Sequence, residues 1–196
     1  MTPGIERPYA GGVEIEWTRS GFERLGFVGW KRFGLIERSD LPDKHGVYVV
    51  ISEALGRPEF LTKSVGGPHK RKPLTVGVDV LSKAWRDGAE IVYIGKAGGR
   101  RGLQDRLWAY ARQGRGHSAG HAGGRFLWQL PASEKLVVGW REVDGVSDVE
   151  EALLALHVAA FQSRPFANLK DGKRMTLPRA CECLAAALGV LPRDVG

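Results

Sequence analysis

Three short runs of β-branched and aromatic residues most constrain how this chain of 196 residues can fold. Residues 47–51 (VYVVI), 91–95 (IVYIG) and 136–143 (LVVGWREV) have the length and composition of buried strands. Residues 103–113 and 150–162 instead carry apolar side chains at helical spacing. The order of these segments predicts a strand, an insertion, a strand, a helix, a strand and a helix within one α/β (α+β) domain.

Local signals outside these segments add further expectations. Residues 13–17 (VEIEW) alternate apolar and charged side chains, as a half-buried strand does. Residues 78–88 favour a short helix that ends at Gly88. Residues 147–150 (SDVE) resemble a capping box at the start of the last core helix, and Pro178 is expected to start a small apolar helix. Residues 21–41 mix aromatic residues with glycines and predict no element.

The composition is that of an ordinary soluble globular protein, with 43% hydrophobic and 26% charged residues. No apolar stretch is long enough to cross a bilayer, and the N-terminus has no apolar segment of the signal-peptide kind. Cys181 and Cys183 are awkwardly close for a disulfide and too few for a zinc site. We therefore expect a single cytoplasmic domain over residues 1–196 that has no membrane contact.

Positive charge is concentrated in two parts of the chain. The formal net charge is +7, and six basic residues lie between Lys96 and Arg115, opposed only by Asp105. Residues 69–72 (HKRK) form a second cluster in a Gly/Pro-rich stretch. Such concentration is typical of a phosphate-facing surface, with a solubilising face as the alternative. The candidate nucleic-acid-binding residues in these clusters are Lys70, Arg71, Lys72, Arg100, Arg101 and Arg112.

A glycine-rich loop at 114–125 follows the arginine-bearing helix. It contains His117 and His121 and ends at Arg125. The glycines argue against a helical metal-binding pair of histidines. The loop could instead bring His121 and Arg125 to a phosphate, or it could be a surface loop without a function.

Two tripeptides and the residues that follow them form an ordered set. Gly46-Val47-Tyr48 lies on the first strand, and Tyr93-Ile94-Gly95 lies on the second and is followed by Lys96. Arg106 and Tyr110 are one turn apart on the next helix, and the set ends with Glu151-Ala152-Leu153-Leu154 and then Arg164-Pro165-Phe166-Ala167-Asn168. Each piece is weak alone. In this order, over residues 46–170, they resemble the GIY-YIG nuclease superfamily, and within it the nuclease domain of the DNA-repair incision branch.

The resemblance implies a small sheet of three antiparallel strands flanked by helices, with short N- and C-terminal extensions. It also implies an endonuclease that hydrolyses phosphodiester bonds in DNA with Mg²⁺ or Mn²⁺ as cofactor. The expected partner is DNA or another nucleic acid, and a homodimer or a protein partner could supply targeting. The catalytic candidates carried over are Tyr48, Tyr93, Lys96, Arg106, Tyr110 and Glu151, with Glu151 as the candidate metal ligand.

Phosphodiester hydrolysis accounts for these residue types. A neutral tyrosine is a poor base near pH 7, so Tyr48 or Tyr93 would need help from a cation such as Lys96 or from a metal-bound hydroxide. The planar guanidinium of Arg106 suits charge that develops on a phosphate. Asn168 would hold the C-terminal end of the core together or contact the site. Taken singly, each residue also has an ordinary explanation in core packing, surface charge or a turn.

The chain departs from the family pattern in two ways. A short hairpin usually joins the two tripeptides, whereas here residues 52–90 form an insertion that could contact nucleic acid, bind a partner or act as a lid. The metal-binding glutamate of the repair branch falls on Leu156, which cannot bind a hard cation. Three alternatives stay open: Glu151 or Glu150 serves instead, another group such as His157 or Glu142 replaces the carboxylate, or the domain is a catalytically degenerate nucleic-acid-binding module.

Overall fold

The computed structural model describes residues 14–53, 56–118, 123–170 and 175–189. At its centre lies one antiparallel sheet of four strands, β1 (Val28–Arg32), β2 (Gly46–Ile51), β3 (Ile91–Ala97) and β4 (Val137–Glu142). The strands lie in the order β1-β4-β2-β3, so β2 pairs with β4 along one edge and with β3 along the other. The three strands expected from the sequence are confirmed.

The expected sheet of three strands is one strand short, because β1 was not predicted. A bulge interrupts the pairing of β1 with β4 between Val28 and Lys31, where Gly29 and Trp30 both have positive φ. The Trp140 ring fills the space beside Gly29, and the Trp30 ring lies where a side chain at Gly139 would be. Long-range contacts between tryptophans and glycines therefore hold β1 in the sheet. The strand lacks the alternation of apolar and polar residues by which a strand is recognised in a sequence.

Five helices surround the sheet: α1 (Arg19–Arg24), α2 (Val78–Ala84), α3 (Gly102–Gly114), α4 (Val146–Phe161) and α5 (Leu177–Leu188). None of the described helices is long and apolar enough to span a membrane. The expected strand at 13–17 is wrong, since residues 14–17 form no strand where the structure describes them. The helix expected to end at Gly88 ends at Ala84 instead, because Trp85 takes an extended conformation and its side chain is buried.

The start of α4 also differs from expectation. The helix begins at Val146, after Gly145 in a left-handed conformation, and no side chain caps it. The capping box expected at 147–150 is therefore wrong, and these four residues lie within the first turns of the helix. This leaves the Glu150 side chain available for a contact outside α4.

The two faces of the sheet pack against different elements. On β2, Tyr48 and Val50 belong to a cluster with α3 and the insertion, whereas Val47, Val49 and Ile51 belong to a cluster with α1, α4 and α5. All six residues of β2 are buried. The apolar run that the sequence shows at this strand is thus explained by burial on both faces.

The insertion between β2 and β3 is held in place by the buried side chain of Gln129. Its amide nitrogen donates to the carbonyls of Leu61 (2.9 Å) and Val76 (3.0 Å), and its amide oxygen accepts from the N–H of Val76 (2.8 Å). The N–H groups of Leu61 and Val65 also donate hydrogen bonds to the backbone carbonyls of Gln129 and Trp128. A segment with little regular secondary structure is therefore ordered by hydrogen bonds to a buried amide.

We expect Gln129→Met to lower the free energy of unfolding by about 2–4 kcal/mol, because three hydrogen bonds are lost and backbone groups of the insertion stay buried without a partner. Urea unfolding would measure the loss, and limited proteolysis should show faster cleavage within residues 56–77. Gln162→Met is the matched control, since Gln162 is exposed. Equal stability of the two variants would contradict this role for Gln129.

Candidate functional site

Three tyrosines from three elements meet on the face of the sheet that carries α3. The ring centroids of Tyr48 on β2 and Tyr93 on β3 are 5.9 Å apart, and Tyr110 on α3 lies 6.5 Å from the first and 5.9 Å from the second. All three side chains are buried. The structure thus brings together three of the residues that the sequence singled out.

Gly95 makes room for this cluster. It pairs directly with Tyr48 across β2 and β3, and the phenol ring of Tyr48 lies over it. A Cβ atom at position 95 would lie 2.5 Å from Cζ and 2.6 Å from Oη of Tyr48, which no real contact permits. A glycine opposite the first tyrosine is therefore a steric requirement, and it accounts for the glycine of the second tripeptide.

Arg106 enters the cluster from α3. The first turn of this helix is fixed to the segment before β2, since Leu103 N–H donates to the Lys44 carbonyl (2.8 Å) and Gln104 N–H donates to the Pro42 carbonyl (3.1 Å). From there the half-buried Arg106 donates through Nε to the Tyr48 hydroxyl oxygen over 3.1 Å. Tyr110, four residues on, lies on the same face of the helix.

The charge states within the cluster follow from burial and from this hydrogen bond. Burial acts to lower the pKa of the Arg106 guanidinium, but its electrostatic interaction and hydrogen bond with Tyr48 outweigh burial and raise the pKa above its ordinary value. Burial raises the pKa of Tyr93 and that of Tyr110 well above the usual tyrosine range. Arg106 is therefore a fixed cation, and Tyr93 and Tyr110 keep their protons.

Lys96 and Glu150 form an ion pair where α4 crosses β3. Lys96 Nζ lies 2.9 Å from Glu150 Oε2, with the side chains 38% and 17% exposed. Burial is the main cause of the raised pKa of Tyr93, and the negative charge of Glu150 adds to it, so the carboxylate acts electrostatically on the tyrosine cluster. Glu151, the residue favoured by the sequence, is half-buried one position further along α4, and no ion pair is formed by it among the described residues.

The other candidates for the missing carboxylate lie elsewhere. Leu156 packs with the apolar cluster on the opposite face of the sheet. His157 is buried there, with Nδ1 2.9 Å from the Ser163 carbonyl and its ring 4.9 Å from the Trp17 ring. Glu142 is exposed at the end of β4, beside an open cleft that Arg100 also lines. Of these candidates, Glu150 is thus the carboxylate whose charge acts on the tyrosine cluster.

Asn168 performs the structural role that the sequence left open for it. Its amide nitrogen donates to the Ile94 carbonyl (2.8 Å), and its amide oxygen accepts from the Ile94 N–H (3.0 Å). Ala167 N–H donates to the Val92 carbonyl (2.8 Å). The segment after α4 therefore binds the outer edge of β3, and the Asn168 amide is engaged by the backbone.

The basic residues expected to bind nucleic acid are mostly on the surface. Those that are exposed are Lys70, Arg71, Lys72, Arg100, Arg101 and Arg112. Arg125 is half-buried, and its Nε has no hydrogen-bond partner within the part of the chain that is described. His121 lies outside the described residues.

One contact of the site has no counterpart in the sequence analysis. Gly124, with φ of +70°, lies so close to the Tyr110 hydroxyl that a Cβ atom there would collide with it. The chain leading into Arg125 therefore passes directly over the tyrosine cluster. The consecutive glycines Gly123 and Gly124 could have indicated this contact in the sequence, because a backbone that approaches a side chain this closely requires glycine.

Within the described residues, no three His, Cys, Asp or Glu side chains converge as a metal-binding group. No protein-family model matches the chain, and neither a curated protein nor a solved structure does.

We expect Gly95→Ala to lower the free energy of unfolding by about 1–3 kcal/mol, because the added methyl group must push Tyr48 away from its position over β3. Urea unfolding would measure this. Gly99→Ala is the matched control, since no described atom lies within 4 Å of a Cβ at that position. If both variants unfold at the same urea concentration, the close packing of Tyr48 on Gly95 is wrong.

A pH dependence of stability follows from His157. Burial lowers its pKa to about 4, outweighing the hydrogen bond to the Ser163 carbonyl. Between pH 6.5 and 4 the unfolded chain binds a proton that the folded chain does not, so His157 lowers stability progressively as the pH falls through this window. Above pH 6.5 the loss is absent, and across the whole window it lowers the free energy of unfolding by at most about 3 kcal/mol.

Urea unfolding of the wild type and of His157→Gln at several pH values would measure this contribution. The variant should show a shallower loss of stability between pH 6.5 and 4. Parallel curves for the two proteins would show that His157 does not titrate in this way.

Proposed function

We propose that this chain is a metal-dependent endonuclease that hydrolyses phosphodiester bonds in DNA. The observation that carries the proposal is the hydrogen bond from Arg106 to the Tyr48 hydroxyl within the tyrosine cluster. The Lys96–Glu150 pair at the adjoining edge of β3 and the resemblance of the ordered motifs to the GIY-YIG nucleases support it. Each of these residues has a distinct chemical part in the reaction.

Arg106 binds the phosphate that is attacked. Its Nε is used by Tyr48, and among the described residues no group accepts a hydrogen bond from its two Nη atoms. These donors are free to hold two phosphate oxygens and to stabilise the charge that increases on them in the transition state. Because Arg106 remains a cation, this stabilisation persists at any pH at which the protein is folded.

Tyr48 positions Arg106 for the phosphate. Its buried hydroxyl oxygen accepts the hydrogen bond from Arg106 Nε and so fixes the direction in which the guanidinium points. Tyr93 keeps its proton and can donate it in a hydrogen bond to a phosphate oxygen. The tyrosines of the two tripeptides thus have different tasks: Tyr48 accepts a hydrogen bond and Tyr93 donates one.

Glu150 fits the metal better than Glu151 does. Mg²⁺ binds through one or two carboxylates and keeps several waters, so a single partly exposed glutamate suffices as its anchor. The Glu150 carboxylate has this exposure, and Lys96 fixes its position beside the cluster. A bound Mg²⁺ or Mn²⁺ would act as a Lewis acid and lower the pKa of a coordinated water.

A second candidate function is a DNA-binding module that has lost hydrolysis. The observation that favours it is Leu156, which stands where the repair branch has its metal-binding glutamate and packs into an apolar cluster. Such a module would retain salt-dependent binding to the phosphate backbone and cleave nothing with any metal.

Nicking of supercoiled plasmid with Mg²⁺, with Mn²⁺ and with a chelator tests the proposal. We expect Arg106→Ala to reduce the rate about 10²–10³-fold, because a positioned donor to the transition state is lost. Arg106→Lys should also be slow, since lysine lacks the planar fork of donors. Glu150→Gln should remove metal-dependent nicking and Glu151→Gln should leave it intact.

Arg179→Ala serves as the control, because Arg179 is an exposed arginine on α5, on the opposite side of the sheet. Its nicking rate should equal that of the wild type. If the protein binds DNA but does not nick it with either metal, the endonuclease proposal is wrong and the DNA-binding module remains.

A further inference from the structure

Lys70 and Arg71 form the tip of a tight two-residue turn within the insertion. His69 and Lys72 exchange two backbone hydrogen bonds of 2.9 Å, which close the turn. Between them, Lys70 has φ of +50° and Arg71 has φ of +64°. Both central residues are therefore left-handed, which is the geometry of a type I′ turn.

The residue types at this tip are unusual for the geometry. Type I′ turns favour Asn-Gly, because these residues enter the left-handed region at little cost. Two long basic side chains are strained there, and such strain is found at functional sites more often than elsewhere. The turn thus holds two exposed cations at a backbone position where Asn-Gly would be more stable.

Backbone and side-chain contacts fix the turn to the C-terminal end of α3. Gly67 N–H donates to the Gln113 carbonyl (2.8 Å), and the buried Gln113 side chain accepts from Trp128 Nε1 (3.1 Å). Ser118 Oγ donates to the Pro68 carbonyl (3.1 Å). The anchor comes only two residues before His69, so the tip has a defined position relative to the helix.

The anchor also sets the distance from the tip to the candidate active site. Gln113 lies seven residues after Arg106, on the same face of α3, so the two are about 10 Å apart along the helix. This equals about three base-pair steps of a B-form duplex. Arg112 is exposed in the last turn of the helix, and residues 60–78 contain no acidic side chain. The tip and the last turn of α3 beside it are thus basic.

We propose that the Lys70–Arg71 turn is a second phosphate-binding surface, which holds the backbone of a nucleic-acid duplex about three base pairs or more from the phosphate at Arg106. The substrate is then a polymer that extends along α3 and not a small phosphodiester. The position of the scissile phosphate at Arg106 rests on the proposed function, whereas binding at the turn does not.

The variant Lys70→Asn/Arg71→Gly tests this surface without disturbing the fold. It removes both cations and installs the residues that a type I′ turn prefers, so its melting temperature should equal or exceed that of the wild type. Arg24→Ala/Arg179→Ala removes the same charge from α1 and α5, on the opposite side of the sheet. Any difference between the two variants then reports on position rather than on net charge.

Duplex DNA binding is measured by fluorescence anisotropy over a salt series in the presence of a chelator, so that no cleavage is needed. The loss of two phosphate contacts should weaken binding about 60-fold at about 0.1 M salt and reduce the slope of log K against log salt by about 1.8. The control variant should bind like the wild type.

Three outcomes would overturn the proposal. The turn variant could bind like the wild type, the control variant could lose as much affinity as the turn variant, or the wild type could fail to bind duplex DNA even at low salt. The last result would leave an acidic protein as the partner of the turn. Binding that depends on the turn without any nicking would instead uphold this proposal and refute only the enzyme.

Discussion

All six residues of β2 are buried, and both edges of the strand are paired, so β2 is enclosed by other parts of the protein. A strand enclosed in this way commits alternate side chains to two separate apolar clusters. It also places the phenol of Tyr48 where only neighbouring protein groups can bind its hydroxyl. The packing of α3, the glycine at position 95 and the position of Arg106 all follow from this enclosure.

The cluster around Tyr48 combines a cation with three phenols in a nearly dry environment. A charged group is costly to bury unless it is bound, and the guanidinium of Arg106 is bound by the Tyr48 oxygen on one side. The carboxylate of Glu150 lies at β3, where it forms an ion pair with Lys96.

Local patterns in the sequence predicted the parts of the fold that depend on local physics. The strands β2, β3 and β4 and the helices α3 and α4 have apolar runs or spacings that few other structures allow. The strand β1 was missed because its bulge is stabilised by tryptophans from a distant strand. The order of the insertion depends on Gln129 and Gln113, whose contacts are separated from them by dozens of residues. The difference between Glu150 and Glu151 is a rotation of about 100° around a helix axis, which a motif alone does not fix.

The pairing of Asn168 with Ile94 has a consequence for the behaviour of the protein in concentrated solution. An open sheet edge is a template on which a second chain can add a strand and start aggregation. At β3 the side-chain amide of Asn168 and the N–H of Ala167 occupy hydrogen-bonding positions of that edge. At the other end of the sheet, the bulge at Gly29 and Trp30 distorts β1 in a way that a straight strand cannot match. Both ends of the sheet thus resist growth into intermolecular β-structure.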